Sequence, residues 1–303
     1  MKVSIITINY NSSEYTIKLV DSILKRISSD TEYEIIITDN ASQAHDYNNL
    51  MVKLPLDKRI KVFRSNINTG FASGNMNGYQ KSTGKYLLFI NNDCKCLNDV
   101  VKPLINFIEL NNAAGLLTGK VLGTDGKYTG THKLFPCLSK SIFGNQISRM
   151  LNKNKFVSPK KNVKKPIMVE VVTGAFMFFK REVFTEINGF DTSFFLDCEE
   201  EDISKRIWNM GKKVYMIPEP EVVHEHGGSK DSRSDLKNEF YISYKKLIYK
   251  HYGRFYAFIM LFFIYLKIIK YFVTGKCDFS LIKLALKGFP EQSSLRYKQR
   301  KIF

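Results

Sequence analysis

The sequence is short of cysteine and of acidic residues, and both shortages limit what the protein can be. Five cysteines among 303 residues are too few for a disulfide framework, and the odd count suits a reducing compartment. The chain has 29 acidic residues and 46 lysines and arginines, which gives a net charge of +17. Hydrophobic residues make up 44% of the chain, which excludes wholesale disorder. The charge indicates an anionic partner: nucleic acid, a phosphorylated substrate or an acidic membrane surface.

A secretory signal and a long membrane-spanning run are also missing. The apolar residues 3–8 end at Asn9 without a cleavage pattern of small residues, so they predict a buried strand. The longest apolar run, residues 255–266, is shorter than the ~20 residues that a spanning helix needs. Lys267 and Lys270 follow it, and residues 228–303 hold 16 basic against 5 acidic residues. These features favour a helix in the membrane interface, with a true span, or a core helix or oligomer contact, as alternatives.

A second basic stretch, residues 153–165, has six lysines and no acid. It has two interpretations, a solvated loop or a loop that faces a membrane or an acceptor. We divide the chain into a catalytic domain, residues 1–228, and a basic, aromatic-rich helical segment, residues 229–303.

Strand and helix patterns alternate through the first part of the chain. Apolar runs predict strands, and the spacing of apolar residues between them predicts helices. The predicted strands are residues 3–8, 34–38, 60–64 and 86–90, and the helices are 13–26, 47–53 and 71–82. This alternation predicts an α/β fold with a mostly parallel sheet and helices on both faces. Ligands of such sheets bind at the carboxyl ends of the strands.

Each of the four predicted strands ends in polar residues. The ends carry Asn9 and Asn11, then Asp39, then Asn68, and finally Asn92 with Asp93. Parallel strands bring these ends to one rim of the sheet. Asp93 ends an apolar strand and is suited to hold a divalent cation that bridges a diphosphate, although a turn aspartate is the alternative.

Glycines recur every four residues at Gly70, Gly74 and Gly78, without a Walker or Rossmann phosphate-binding motif. Their spacing gives a smooth helix face, which admits close backbone approach. In one interpretation, the glycines let the helix pack tightly on the sheet. In the other, they leave the helix N-terminus open to a nucleotide.

An acidic cluster follows the sequence Phe-Phe-Leu at residues 194–196. Residues 199–202 read Glu-Glu-Glu-Asp and occupy the first turn of a predicted helix. The helix dipole favours acids there by ~0.3–1 kcal/mol each, which accounts for one or two of them. A carboxylate held in this way is suited to act as a general base. Further along, His224 and His226 end a predicted strand. A zinc site is not favoured there, because no cysteine pair of suitable spacing lies beside them.

In this order the motifs resemble the family 2 glycosyltransferases, in particular their rhamnosyltransferase-like branch. The resemblance covers about residues 3–229. The resemblance rests on the following motifs: the opening strand 3–11, the Asp-Asn-Ala-Ser at 39–42, the Asn-Thr-Gly-Phe-Ala-Ser-Gly-Asn at 68–75, the Asn-Asn-Asp at 91–93, and the Gly-Phe-Asp at 189–191 with the glutamates at 199–200. The family has a GT-A fold, a Rossmann-like sheet, to which this chain adds a helical C-terminal tail.

The resemblance also implies roles for individual residues. Asp39 reads the nucleotide base, Asp93 and His224 hold Mg²⁺ or Mn²⁺, and Asp191 bonds a sugar. Glu200 acts as the catalytic base, with Glu199 as the alternative. His226 is the alternative to His224 as the histidine that holds the metal. The implied donor-binding residues are Thr7, Asn9, Asn11, Asp39, Asn68, Gly70, Asn75 and Asn92.

The implied protein is an inverting, metal-dependent glycosyltransferase of bacterial surface polysaccharide synthesis. It takes a sugar, for which rhamnose is one candidate, from a dTDP- or UDP-linked donor to a lipid-linked glycan. We expect it in the cytoplasm, peripherally associated with the inner face of the cell membrane, and without a nucleic-acid partner. The alternatives are a catalytically silent sugar-nucleotide-binding subunit, a nucleic-acid-binding protein and a sugar-phosphate nucleotidyltransferase.

Overall fold

The computed structural model describes residues 2–139, 141–142, 163–225 and 233–302. Its first part alternates strands and helices as far as β4. These elements are β1 (Val3–Asn9), α1 (Ser13–Arg26), β2 (Tyr33–Asp39), α2 (Ala44–Lys53), β3 (Ile60–Arg64), α3 (Gly70–Lys81) and β4 (Tyr86–Ile90). The elements predicted from the apolar pattern are therefore confirmed, with α2 beginning three residues earlier than predicted.

The second part of the catalytic region has shorter and less regular elements. They are β5 (Cys94–Cys96), α4 (Lys102–Leu110), β6 (Ala114–Leu122), β7 (His132–Lys133), β8 (Ile167–Met168), β9 (Val171–Val172), β10 (Phe176–Lys180), α5 (Arg181–Glu186), α6 (Glu199–Asn209) and β11 (Lys213–His224). The predicted acidic helix is α6, and its first turn holds the acids at 199–202. Of the basic stretch 153–165, residues 153–162 lie outside the described residues.

The main sheet has the strand order β3-β2-β1-β4-β10-β6-β11-β5, and β8 pairs with β11. β1 pairs in parallel with β2 on one side and with β4 on the other. The direction of winding therefore reverses between β1 and β4, and the carboxyl ends of these two strands border a crevice. The sheet is mixed, because β10 runs antiparallel between β4 and β6.

Helix α3 packs very closely on the sheet, and its glycines make this approach sterically feasible. A Cβ atom at Gly74 would lie 2.7 Å from Ile8 Cδ1, and one at Gly78 would lie 2.5 Å from Ile6 Cγ2. Real Cβ atoms do not approach other atoms so closely. The glycine spacing therefore serves helix–sheet packing at Gly74 and Gly78.

The C-terminal region forms a helical unit made of α7 (Arg233–Tyr252), α8 (Arg254–Val273) and α9 (Phe279–Leu286). Two short 3-10 helices, Glu291–Ser293 and Leu295–Lys298, follow. One face of α8 is buried in a hydrophobic cluster that the three helices share, through Ala257, Met260, Leu261, Ile264 and Ile268. Among the described residues, α8 is the one helix whose length and composition would allow it to cross a membrane.

Candidate active site

A cavity of about 320 Å³ opens at the crevice between the ends of β1 and β4. Six residues predicted to bind donor or metal line it: Asn68, Gly70, Asn75, Asn92, Asp93 and His224. The lining also includes residues to which the sequence analysis gave no role. Among them are Tyr10, Asn40, Phe71 and Phe195. The cavity thus combines aromatic rings with side-chain amides, a lining suited to a ligand with a flat base and hydroxyl groups.

Four predicted donor-binding residues do not line this cavity. Thr7, Asn9 and Asp39 are fully buried, and Asn11 is half-buried. Asn9 Nδ2 donates to Asp39 Oδ2 at 2.9 Å, and Arg64 Nε lies 3.3 Å from Asp39 Oδ1. These contacts join the ends of β1, β2 and β3. In this structure the carboxylate of Asp39 supports the wall of the site from behind.

Asn11 connects the loops that follow β1 and β2. Its backbone N–H donates to Ser42 Oγ at 2.9 Å, and its side-chain oxygen accepts a hydrogen bond from the backbone of Gln43 at 2.8 Å. Asn11 has a positive φ of 51°, a conformation that asparagine tolerates better than most residues. Its role in the structure is therefore to shape the rim.

The start of α3 is built by hydrogen bonds between asparagines. Asn40 Nδ2 donates to Asn68 Oδ1 at 2.8 Å, and Asn40 Oδ1 accepts from the backbone of Thr69 at 3.0 Å. Gly70 has a φ of +80°, and a Cβ there would lie 2.1 Å from the carbonyl oxygen of Phe195. Glycine is therefore required at position 70, because it brings residues 194–196 against the first turn of α3.

Asp93 and His224 meet because of strand pairing. The end of β11 pairs with β5, so that His224 lies beside the residue after Asp93. His224 Nε2 is 2.9 Å from Asp93 Oδ1, and the ligating atoms of Asp93, Cys94 and His224 lie within 4.8 Å of one another. A carboxylate and an imidazole fit a divalent cation such as Mn²⁺ or Mg²⁺. The predicted alternative, His226, lies outside the described residues.

The first turn of α6 separates its glutamates into different environments. Glu199 is 2% exposed, and burial raises the pKa of its carboxyl well above the usual range. Glu200 is partly exposed, and its Oε1 lies 2.6 Å from Lys133 Nζ. A Cβ at Gly174 would lie 3.6 Å from Phe71 Cζ and 3.8 Å from Glu200 Oε2. Glu200 and the cavity-lining ring of Phe71 therefore both lie beside Gly174.

Asp191 is held by a lysine of the C-terminal helical unit. Its Oδ2 lies 2.6 Å from Lys250 Nζ, and its Oδ1 accepts the backbone N–H of Ser193 at 2.9 Å. Burial favours a higher pKa, but the Lys250 and Ser193 hydrogen bonds outweigh it and lower the pKa of Asp191 to about 2. The carboxylate is thus ionised at neutral pH.

Two charged residues beside Glu200 were missed by the sequence analysis. Lys133 bridges Glu200 and Glu201, with Nζ–Oε1 distances of 2.6 and 3.2 Å. Burial, and then the charge of Glu200, raises the pKa of Asp197 to about 7. No motif marked either residue, and Lys133 reaches α6 only because β7 pairs with β9 beside it.

The sheet, with a cavity at its switch point and a carboxylate–imidazole pair in the cavity wall, has the GT-A fold of glycosyltransferases. The chain belongs to glycosyl transferase family 2, whose model matches residues 4–187. Membership of this family supports the conclusion that the chain is a glycosyltransferase.

Relatives agree with this assignment. The rhamnosyltransferase WbbL of Escherichia coli K12 is 25% identical over 270 residues, which cover 81% of this chain and 94% of the relative. The putative teichuronic acid biosynthesis glycosyltransferase TuaG of Bacillus subtilis is 29% identical over 125 residues, covering 41% of this chain and 49% of TuaG. The chain is thus related to a rhamnosyltransferase and to a teichuronic acid synthesis enzyme.

Solved structures show the same fold. GalNAc-T7 with UDP, GalNAc and Mn²⁺ has a TM-score of 0.58 and 19% identity, over 82% of this chain and 47% of that one. Staphylococcus aureus TarS has a TM-score of 0.52 and 15% identity, over 90% of this chain and 44% of that one. The chain therefore spans about half the length of each of these solved structures.

Proposed function

We propose that the protein is an inverting glycosyltransferase of bacterial surface polysaccharide synthesis. It transfers a sugar, for which rhamnose is one candidate, from a dTDP- or UDP-sugar to a lipid-linked glycan. One observation carries the proposal: the cavity has the Asp93–His224 pair in its wall and the Glu200 carboxylate across Gly174 from its Phe71 ring. The relationship to a rhamnosyltransferase supports the choice of sugar class.

The metal role falls to Asp93 and His224, which would hold Mg²⁺ or Mn²⁺. Bound there, the cation neutralises charge on the diphosphate leaving group. The amide nitrogen of Asn92 donates to Ser12 Oγ at 2.7 Å and to Thr16 Oγ1 at 2.9 Å. These hydrogen bonds fix the loop that presents Asp93.

For the base we choose Glu200 over Glu199. Glu199 is buried, and burial raises the pKa of its carboxyl well above the usual range. Glu200 is partly exposed, and its Oε1 lies 2.6 Å from Lys133 Nζ. An accessible carboxylate is what proton abstraction from an acceptor hydroxyl requires.

The reaction is an in-line displacement at the anomeric carbon. The acceptor hydroxyl gives its proton to Glu200 as its oxygen bonds to the anomeric carbon. The bond from that carbon to the diphosphate oxygen breaks, and the nucleoside diphosphate leaves with the electron pair. Attack opposite to the leaving group inverts the configuration. Asp191, on the loop that contributes Phe195 and Leu196 to the cavity lining, is our candidate for a hydrogen bond to the acceptor or to the donor sugar.

The test combines a donor screen with one substitution. The 303-residue chain is assayed with dTDP-, UDP- and GDP-sugars, with Mg²⁺ or Mn²⁺ and a lipid extract as the source of acceptor. Glu200→Gln should lower transfer by at least about 100-fold, because a positioned general base contributes about that much or more. Donor binding, measured by calorimetry, should stay unchanged.

The matched control is Glu182→Gln, an exposed acid in the first turn of α5. It should leave transfer intact. Transfer that persists in Glu200→Gln contradicts the assignment of the base. Donor binding without transfer in the wild-type protein favours the silent subunit, and salt-dependent DNA binding without donor binding favours the nucleic-acid alternative.

We also place the reaction at the inner face of the cell membrane, with the protein peripherally associated. The outward side of α8 supports this proposal. Its exposed apolar residues recur at helical spacing and form one face: Phe255, Phe258, Phe262, Leu266, Ile269 and Phe272. Exposed lysines lie beside that face on α8 and α9, at Lys267, Lys270 and Lys283. Such a surface matches acyl chains and lipid phosphates together.

A further inference from the structure

The loop of residues 189–198 connects the donor side of the site to the catalytic helix. The carbonyl oxygen of Phe195 accepts the backbone N–H of Phe71 at 2.7 Å, which ties the loop to the start of α3. Phe195 and Leu196 line the cavity, and the loop runs directly into α6, where Glu200 lies in the first turn. The loop therefore joins one part of the cavity wall to the helix that carries the proposed base.

The C-terminal helical unit holds this loop from the other side. Ser243 Oγ donates to the carbonyl of Leu196 at 2.8 Å, and Lys246 Nζ donates to the carbonyl of Ser193 at 2.7 Å. Leu247 is buried with two loop residues, Phe194 and Cys198. Arg296, which follows the helical unit, donates to the carbonyl of Thr192. Much of the loop is thus shaped by residues outside the catalytic region.

Lys250 is the charged centre of these contacts. Its Nζ lies 2.6 Å from Asp191 Oδ2 on the loop and 2.6 Å from Asp202 Oδ1 on α6. The Asp202 side chain is 1% exposed and also contacts His251 Nε2 at 2.7 Å and Arg206 Nη2 at 2.8 Å. Without Lys250, Asp202 keeps its contacts with Arg206 and His251, whereas among the described residues Asp191 keeps no salt-bridge partner.

We propose that Lys250 is a positioning residue for the acceptor step. It holds Asp191, and with it the 189–198 loop, where an acceptor hydroxyl can meet Glu200. This inference rests on the proposed function. It makes acceptor use, but not donor binding, depend on the helical unit, because the residues that form the Asp93–His224 side of the cavity lie elsewhere.

The experiment compares five variants of the 303-residue chain. Lys250→Met removes the charge, Lys250→Arg restores it, and Lys245→Met is the matched control. Lys245 lies on the same helix but donates to the carbonyl of Gly288 at 2.6 Å, within the helical unit. The fourth variant combines Asp191→Asn with Lys250→Met and is compared with Asp191→Asn alone.

The first measurement is hydrogen exchange of the peptide that covers residues 189–198. Exchange should accelerate about tenfold in Lys250→Met, and the Lys250→Arg and Lys245→Met proteins should match the wild type. The second measurement is calorimetric binding of UDP and dTDP with Mn²⁺, which should not change in any variant. Unchanged exchange in Lys250→Met, or equal acceleration in Lys245→Met, overturns the inference whether or not the protein transfers a sugar.

The third measurement is sugar transfer from the donor that the wild-type protein uses, at rising concentrations of lipid extract. Lys250→Met should raise the apparent KM for acceptor and lower kcat/KM by about tenfold or more, since small misplacements of reacting groups cost up to about 100-fold. In the Asp191→Asn background the same change should have no further effect. A fully additive effect there overturns a role through Asp191. Absence of transfer in the wild-type protein would instead contradict the proposed function.

Discussion

At the scale of single residues, the side chains nearest the site divide into those that face the cavity and those that hold its wall. Asn68 and Asp93 face the cavity, whereas Asn9 and Asp39 are buried in a network behind it. The sequence marks both groups equally, because each consists of polar residues after a strand. Burial separates them, and burial depends on which loops pack together. Residue type therefore predicted the location of the site, but not which side chains line its cavity.

Asp197 allows a test of burial beside the proposed base. Burial raises its pKa to about 7, whereas an aspartate in the unfolded chain titrates near 3.8. Between these values the unfolded chain releases a proton that the folded chain retains, so stability falls as the pH rises through this window. Asp197→Asn removes that penalty, and asparagine tolerates the left-handed φ of 68°. We expect the Tm at pH 8 to rise by about 2–4 °C, with little change at pH 4.

Scanning calorimetry at pH 4, 6 and 8 measures this difference. Asp125→Asn, in an exposed turn, is the control and should shift the Tm equally little at each pH. An equal shift at pH 4 and pH 8 in Asp197→Asn would mean that the carboxyl does not change its protonation on folding.

Lys133 and Lys250 show why part of the site was beyond sequence reasoning. Each lysine pairs with an acid that is far away along the chain, Lys133 with Glu200 and Lys250 with Asp191. Lysines are common in this chain, and a single lysine carries no signal in its local sequence. The acids were recognisable because they cluster at the start of a helix, whereas their partners are defined only by tertiary packing.

At the scale of elements, the sequence predicted the regular part of the fold well. β1, β2 and β4 are buried, apolar and short, and α1 has its apolar residues on one face. Local pattern was therefore sufficient to define them. The antiparallel insertion of β10 between β4 and β6 was not predictable in the same way, since its apolar residues suit either strand direction.

Helix α3 provides a test at this scale. Gly78→Ala places a methyl group 2.5 Å from Ile6 Cγ2 and 3.1 Å from Thr38 Oγ1. Alanine favours a helix by up to about 1 kcal/mol over glycine, but overpacking of a core costs about 1–3 kcal/mol. We expect a net loss of about 1–2 kcal/mol in the free energy of unfolding, measured in urea.

The control on the same helix is Gln80→Ala, which changes an exposed side chain and should stay within about 0.5 kcal/mol of the wild type. UDP affinity of the folded Gly78→Ala protein should match that of the wild type. A selective loss of UDP affinity with unchanged stability would instead favour the nucleotide reading of the glycine spacing.

At the scale of the whole molecule, charge and exposed apolar surface concentrate in the same region. Residues 228–303 contribute 16 basic and 5 acidic residues to the net charge of +17. One side of α8 supplies the core of the helical unit, and the opposite side is exposed. The alternatives of a core helix and an interfacial helix are therefore compatible, because each describes one side of α8. The same unit contacts the 189–198 loop, so a membrane-bound unit would present that loop towards a lipid-linked acceptor.

The proposed membrane surface is tested better by surface substitutions than by deleting the helical unit. Deletion would also remove Leu247, which is buried against Phe194. Phe258 and Phe262 are 66% and 51% exposed, so Phe258→Glu with Phe262→Glu should leave the fold intact. Burying a phenylalanine in an apolar phase contributes about 1.5–3 kcal/mol, so the double variant should bind vesicles containing phosphatidylglycerol at least about 100-fold more weakly.

Leu110→Glu is the matched control, because Leu110 is 85% exposed on α4, in the catalytic region. It carries the same kind of change at a surface outside the helical unit and should bind the vesicles as the wild type does. Added salt should weaken wild-type binding, since the lysines beside the apolar face contribute through lipid phosphates. Equal sedimentation of the double variant and the wild type would show that this face does not meet the membrane. In that case a second protein or a second copy of the chain would have to cover it, and the membrane would no longer explain the positive charge.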